Sequence, residues 1–145
     1  EMQAALGRSQ VRRLKDIFKK RAELFERYRR LLGTVKGVRL VDSTDPKAAS
    51  GHYCVSAVFE PPYMARRDEI VMRLNVAGIG TSIYYPHPVP RMTYYRKKYG
   101  IEPAKFSNAS HLSDHSVTLP LGMHLENADV DLIVATLSDI LKSFN

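Results

Sequence analysis

The 145-residue sequence contains no tryptophan and a single cysteine, Cys54, so no disulfide can close within it. A lone thiol fits a reducing compartment. No apolar run approaches the roughly 20 residues that cross a bilayer, and the first residues lack the short apolar stretch of a secretory signal. The expectation is a soluble, cytoplasmic chain without a membrane partner. A glycine-rich phosphate loop is also missing, because Gly78-Ile79-Gly80 lacks the further glycine and lysine that such loops use. There is no nucleophile elbow and no evident cysteine–histidine dyad. His111 and His115 stand four apart, so a helix would put both on one side, but His-Leu-Ser-Asp-His lacks the glutamate of a zinc hydrolase motif. His52 and Cys54 would share a strand face, which is short of the three or four ligands a metal needs. These absences leave no complete catalytic apparatus and no expected metal.

Charge is present in excess, and it is unevenly placed. The formal charge is +7, and from Glu1 to Lys36 there are 11 lysines and arginines against 4 acids, so the rest of the chain is neutral. A cationic segment keeps open an alternative reading as a nucleic-acid-binding module. Against it, Phe18, Phe25 and Tyr28 lie in the apolar stripe of this segment and not among its cations, where they would be needed for stacking on bases. A solvated face, or one that steers an anionic substrate, accounts for the pattern more simply.

Residues 2–32 contain no proline and one glycine, and Val11, Leu14, Phe18, Ala22, Phe25, Tyr28 and Leu32 recur at helical spacing. One long helix is predicted, with Arg8, Arg12, Lys15, Lys19, Lys20, Arg27 and Arg30 on its solvated side. Arg21 and Arg29 break the rule by falling inside the apolar stripe, where they must snorkel or meet an acidic partner. The opening Glu1-Met-Gln-Ala-Ala-Leu6 favours helix with no capping residue before it, as in a chain that starts inside an element.

Further along, a short strand is predicted at 38–41, then a loop with Asp42, Ser43, Asp45, Pro46 and Gly51, then a half-buried strand from His52 to Glu60. In that strand Tyr53, Val55, Ala57 and Phe59 share one face. A helix is expected over 67–77, ended by Gly78, and a strand over 81–85. Pro86, Pro88 and Pro90 demand an extended, non-helical stretch after it. Short helices at 92–99 and around 108–112, a strand at 116–119 and a last helix capped by Asn127 complete the reading. Val130, Ile133, Val134, Leu137, Leu141 and Phe144 form the buried stripe of that helix. This order implies one α/β domain of α+β type: a small mixed sheet with helices on one face, plus the long N-terminal helix.

The least generic stretch is Gly78-Ile-Gly-Thr-Ser-Ile-Tyr-Tyr-Pro-His-Pro-Val-Pro90. A strand ending in two tyrosines and stopped by rigid prolines holds polar rings in a fixed direction, as a binding rim requires. Alternation would send Tyr84 and Tyr85 to opposite faces, so both reach one pocket only if the backbone turns at Pro86.

Six short segments, taken in order, resemble the DegT/StrS sugar aminotransferases, a branch of the fold type I pyridoxal-phosphate enzymes. They are Glu1-Met-Gln-Ala-Ala-Leu-Gly7, Arg67-Asp-Glu-Ile70, Gly78-Ile-Gly-Thr-Ser82, Leu112-Ser-Asp114, Leu119-Pro-Leu121 and Asp129-Val-Asp131. The resemblance implies the C-terminal part of such an enzyme, with a linking helix over 1–33 and a small domain over 34–145 whose sheet is largely antiparallel. It implies transfer of an amino group, usually from glutamate, to the keto group of a nucleotide-linked sugar, with pyridoxal phosphate as electron sink. In the family the Schiff-base lysine, the acidic partner of the pyridine nitrogen and most phosphate contacts belong to the large N-terminal domain, and none matches a position here. The Asn-x-Arg motif of the family would lie before Glu1. No catalytic or cofactor-binding residue is therefore expected in these residues, which alone should be inactive. A substrate-side role is implied instead. The position of Tyr84 is often histidine in the family, followed by a tyrosine matching Tyr85, and the pair borders the sugar-nucleotide pocket, commonly across the interface of a homodimer. His87, in the same rigid segment, could donate to a sugar hydroxyl or phosphate. His52 matches a frequent family histidine and carries no implied role. A non-catalytic scaffold or assembly domain is the further alternative.

Overall fold

The computed structural model describes residues 1–43, 45 and 47–144, so Pro46 of the first loop lies outside the described residues. The described chain folds in the order α1 (Met2–Arg12), α2 (Leu14–Leu32), β1 (Val38–Leu40), β2 (Val55–Phe59), α3 (Arg67–Val76), α4 (Thr93–Tyr99), α5 (Ser107–His115), β3 (Ser116–Leu119) and α6 (Asn127–Lys142). The three strands form one sheet in the order β1-β2-β3, antiparallel at both joints. Its register sets Val38 opposite Phe59 and Val55 opposite Leu119.

Alternation along β2 turns Val55, Ala57 and Phe59 to one side, where they join Val117 and Leu119 from β3. Helices α2, α3 and α6 close over this face with Leu24, Phe25, Tyr28 and Leu32, with Ile70 and Leu74, and with Val130, Ile133, Val134, Leu137, Ile140 and Leu141. Val58 is fully buried yet stands outside that cluster, which agrees with its turning to the opposite side, where α5 meets β2.

Several local expectations give way to tertiary context. The first helix is two: the backbone departs from helical geometry at Arg13, whose N–H bonds back three residues to Gln10. Nothing in α1 is buried, and Val11 and Phe18 are 68% and 46% exposed, so the apolar stripe meets a core only from Leu24 onward. Lys20 and Arg27 are not merely solvated, since they pair with Glu126 and Asp131 at the start of α6. Arg29 meets Asp42 and Glu26. Residues 81–85 form no strand; a single bridge joins Ser82 to Thr118, and the prolines from Pro86 onward have no N–H to carry a ladder further. Among those prolines Val89–Arg91 makes one 3-10 turn, tolerated because Pro90 sits at the start of the turn, where no donor is needed. The last helix is capped by Glu126, not Asn127. The Asp129 carboxylate reaches back 2.7 Å to the Glu126 N–H, and the Glu126 side chain accepts in return.

Tyr28 is fully buried, and its hydroxyl donates to the Pro120 carbonyl oxygen at 2.9 Å. Burial pushes the phenol well above its ordinary range, and the Asp129 charge adds to the effect. The fold thus favours the neutral phenol. The stability from that preference is full below the ordinary tyrosine pKa of about 10 and is lost as pH rises above it. Tyr28→Phe should cost about 1 kcal/mol in urea melts at neutral pH, with the gap to wild type shrinking above pH ~10; a gap that stays constant with pH would contradict this. In the α6 stripe, Leu137→Ala should cost about 2–5 kcal/mol, whereas Leu132→Ala, on the outer face, should stay within ~0.5 kcal/mol.

Candidate functional site

Where β3 ends, a cavity of about 260 Å³ opens between α2, the approach to β2 and the segment after α3. Arg21, Tyr53, Ser82, Tyr84, Thr118 and Pro120 line it. Arg21 projects from the same stripe of α2 as Tyr28, two turns earlier. The Arg21 guanidinium carbon lies 6.0 Å from the centre of the Tyr53 ring. Its Nε is buried without a hydrogen-bond partner, and no acid among the described residues pairs with it. Ser82 and Thr118 exchange two backbone hydrogen bonds, 3.1 and 2.7 Å, which pin the segment carrying Tyr84 to β3.

Tyr84 lines the cavity and is 46% exposed, while Tyr85 is 75% exposed and stands outside the lining. Their ring centres are 5.9 Å apart, tilted by 42°. His87 is exposed and is likewise outside the lining. Of the three rim residues named from sequence, the structure therefore brings the two tyrosines together and leaves His87 apart. The sequence pattern gives Tyr53, Ser82 and Thr118 no site role, because their proximity depends on pairing with the sheet. Arg21 left a signal, as a charge inside an apolar stripe.

The rim is held from below by α5. The Ser113 hydroxyl donates to the Tyr85 carbonyl oxygen, and Asp114 takes a two-pronged ion pair from Arg91 at 2.5 and 2.6 Å. Adjacent residues of one helix thus fasten both ends of the proline segment. The Arg91 guanidinium holds the Asp114 carboxyl below its usual range.

The predicted histidine pair does come together. His111 and His115 are near each other, with ring centres 5.0 Å apart, but His115 Nδ1 faces the Met64 carbonyl at 3.1 Å and the nearest acid to His111 is Glu60 at 3.7 Å. Among the described residues no group of three or more histidine, cysteine or acidic side chains could hold an ion. His52 and Cys54 precede β2 instead of sharing it; His52 adopts φ 42° and lays its ring 4.4 Å from that of Phe25. Among the described residues no helix is long and apolar enough to cross a membrane.

Because the Arg91–Asp114 pair is part-exposed and screened by solvent, its effect is local to the segment it fastens and adds little to global stability. Asp114 has a depressed folded pKa, so its contribution is present above the ordinary aspartate pKa of about 4 and fades as pH falls through the lower folded value. Asp114→Asn should speed amide hydrogen exchange across residues 85–91 while leaving α6 unchanged. Equal protection in wild type and variant would refute the fastening role.

The DegT/DnrJ/EryC1/StrS aminotransferase family model matches residues 1–138. The spore coat polysaccharide biosynthesis protein SpsC of Bacillus subtilis is 32% identical over 143 residues, covering 98% of this chain and 36% of its own length. A dTDP-4-dehydro-2,3,6-trideoxy-D-glucose 4-aminotransferase of Saccharopolyspora spinosa is 32% identical over 130 residues, covering 90% of this chain and 31% of its own. A Streptococcus pneumoniae protein described as a sugar aminotransferase, solved in its PLP form, shares the fold with a TM-score of 0.84 at 24% identity, over 97% of this chain and 35% of that one. The chain thus spans about a third of the length of the relatives it matches. With its match to the family model running nearly from end to end, the chain belongs to the DegT/DnrJ/EryC1/StrS aminotransferase family.

Proposed function

We propose that these residues are the substrate-side, C-terminal part of a pyridoxal-phosphate-dependent aminotransferase that moves an amino group from glutamate to a nucleotide-linked keto-sugar. In this reading residues 1–33 link to a cofactor domain and 34–145 form the small domain. The observation that carries it is the family match, joined to a rim where Tyr84 overlooks a cavity with a cation in its wall.

The cavity is lined by neither a lysine nor a carboxylate, so its residues offer pyridoxal phosphate no Schiff-base attachment and no acid for its ring nitrogen. Those groups are assigned to the part of the relatives that this chain does not span. When bound there, the cofactor supplies the electron sink for amino transfer. This chain's own contribution is positioning. The Tyr84 hydroxyl meets the sugar, Tyr85 and His87 extend the rim toward the nucleotide, and the proline segment keeps them oriented, so that less freedom is lost on binding. The outward-facing Tyr85 and His87 suit a pocket completed by a second subunit of a homodimer.

The test joins this chain to the segment encoded upstream. The longer protein should hold pyridoxal phosphate as a borohydride-reducible Schiff base and aminate a nucleotide-linked keto-sugar with glutamate as donor, while the 145 residues alone should do neither. Tyr84→Phe in the longer protein should lower kcat/KM for the sugar about tenfold, mainly through KM, with the cofactor absorbance unchanged. A specific reducible Schiff base on a lysine of the isolated chain would end this reading.

A further inference from the structure

Arg21 has no structural partner that explains it. Arginine is seldom buried unless paired, and a buried donor left without a partner is destabilising. The other stripe arginine, Arg29, is answered by Asp42 and Glu26, and Arg27 and Lys20 are answered by α6. Arg21 alone in this stretch of α2 turns into the cavity, with its Nε buried and unbonded and the Tyr53 ring beside it. Around it stand the neutral hydroxyl-bearing residues Tyr53, Ser82, Tyr84 and Thr118, and no carboxylate lines the space. A guanidinium in such a setting lacks one thing, an oxyanion, which it can take through two parallel N–H donors while hydroxyls serve the remaining oxygens. At about 260 Å³ the space is below the usual range of about 300–1,000 Å³ for whole small-molecule pockets, so it suits one anionic group and its immediate surroundings.

We infer that Arg21 is the docking residue for an oxyanion of a substrate, gripping it beneath Tyr84 from the turn of α2 that precedes its buried stripe. This rests on the substrate-side reading above and deepens it. Two substrates of the proposed reaction carry such a group: the sugar nucleotide through its phosphates and the amino donor through its carboxylates. The shared chemistry is a planar or tetrahedral oxyanion met by a fixed guanidinium fork.

The experiment is an NMR titration of the 145-residue chain, following the Arg21 Nε–Hε signal and the amides of Tyr53, Ser82 and Thr118. Inorganic pyrophosphate and L-glutamate are added separately in the millimolar range. One of them should shift these signals saturably: pyrophosphate assigns the site to the sugar nucleotide, glutamate to the donor. Arg21→Met should abolish the response and leave the melting temperature unchanged or raised, because it removes an unsatisfied buried donor. Arg21→Lys, which keeps the charge without the fork, should weaken binding about tenfold. A silent Arg21 with both probes overturns the inference. So does a response confined to exposed cations such as Lys15 and Lys19, or a response that survives Arg21→Met. A marked loss of stability in Arg21→Met would instead make the arginine a packing residue and also overturn it. Neither cofactor nor turnover enters this readout. A silent Arg21 beside an active full-length protein rejects the docking role alone, and a responsive Arg21 beside an inactive one rejects the activity alone.

Discussion

The position of α2 depends on one buried contact, the Tyr28 hydroxyl against the carbonyl of Pro120, the residue through which the chain leaves β3. A neutral hydrogen bond of this kind contributes only about 1 kcal/mol net. Its larger effect is geometric, because it is made by a fully buried ring that cannot slide without opening the core. Fixing Tyr28 against β3 fixes the turn that carries Arg21 against the same edge, so the cavity wall and the core are successive parts of one helix face. The ion pairs of Lys20 with Glu126 and Arg27 with Asp131 hold the helix against α6 on the adjoining side.

Several segments that carry the family resemblance have mechanical work to do here. Pro120, within Leu119-Pro-Leu121, accepts from Tyr28; Ser113 and Asp114, within Leu112-Ser-Asp114, fasten the two ends of the rim; Asp131, within Asp129-Val-Asp131, receives Arg27, and Asp129 closes the capping box. Glycine at Gly78 supplies the positive φ of 80° that turns the chain from α3 toward the rim. These four matched segments therefore act on α2, on α6 or on the tyrosine rim.

What the sequence reveals depends on how local the cause is. The α6 stripe follows from periodicity and appears where it puts it, whereas the alternation of β2 holds only from Val55, three residues after the predicted start at His52. The cap of α6 shifts by one because a carboxylate three residues on competes for the role. The break at Arg13 and the exposure of Val11 and Phe18 were hidden, since an apolar stripe does not say whether a neighbour exists to cover it. The same holds for residues 81–85, strand-like in composition yet joined to the sheet at one bridge. At the site, Tyr84 was legible from its proline-stopped segment, and Arg21 as a violation of pattern. Tyr53 and Thr118 were not, because their proximity arises from pairing between residues more than sixty positions apart.

On the proposed reading, the cavity beneath Tyr84 is a substrate site whose chemistry is supplied from outside this chain. The most direct measurement is a crystal structure of the full-length protein with its nucleotide-linked sugar bound. The expected result is an oxyanion of the ligand against the Arg21 guanidinium, with the Tyr84 hydroxyl within hydrogen-bond distance of the same molecule. A ligand bound elsewhere, with Arg21 instead paired to a carboxylate of the protein, would contradict it.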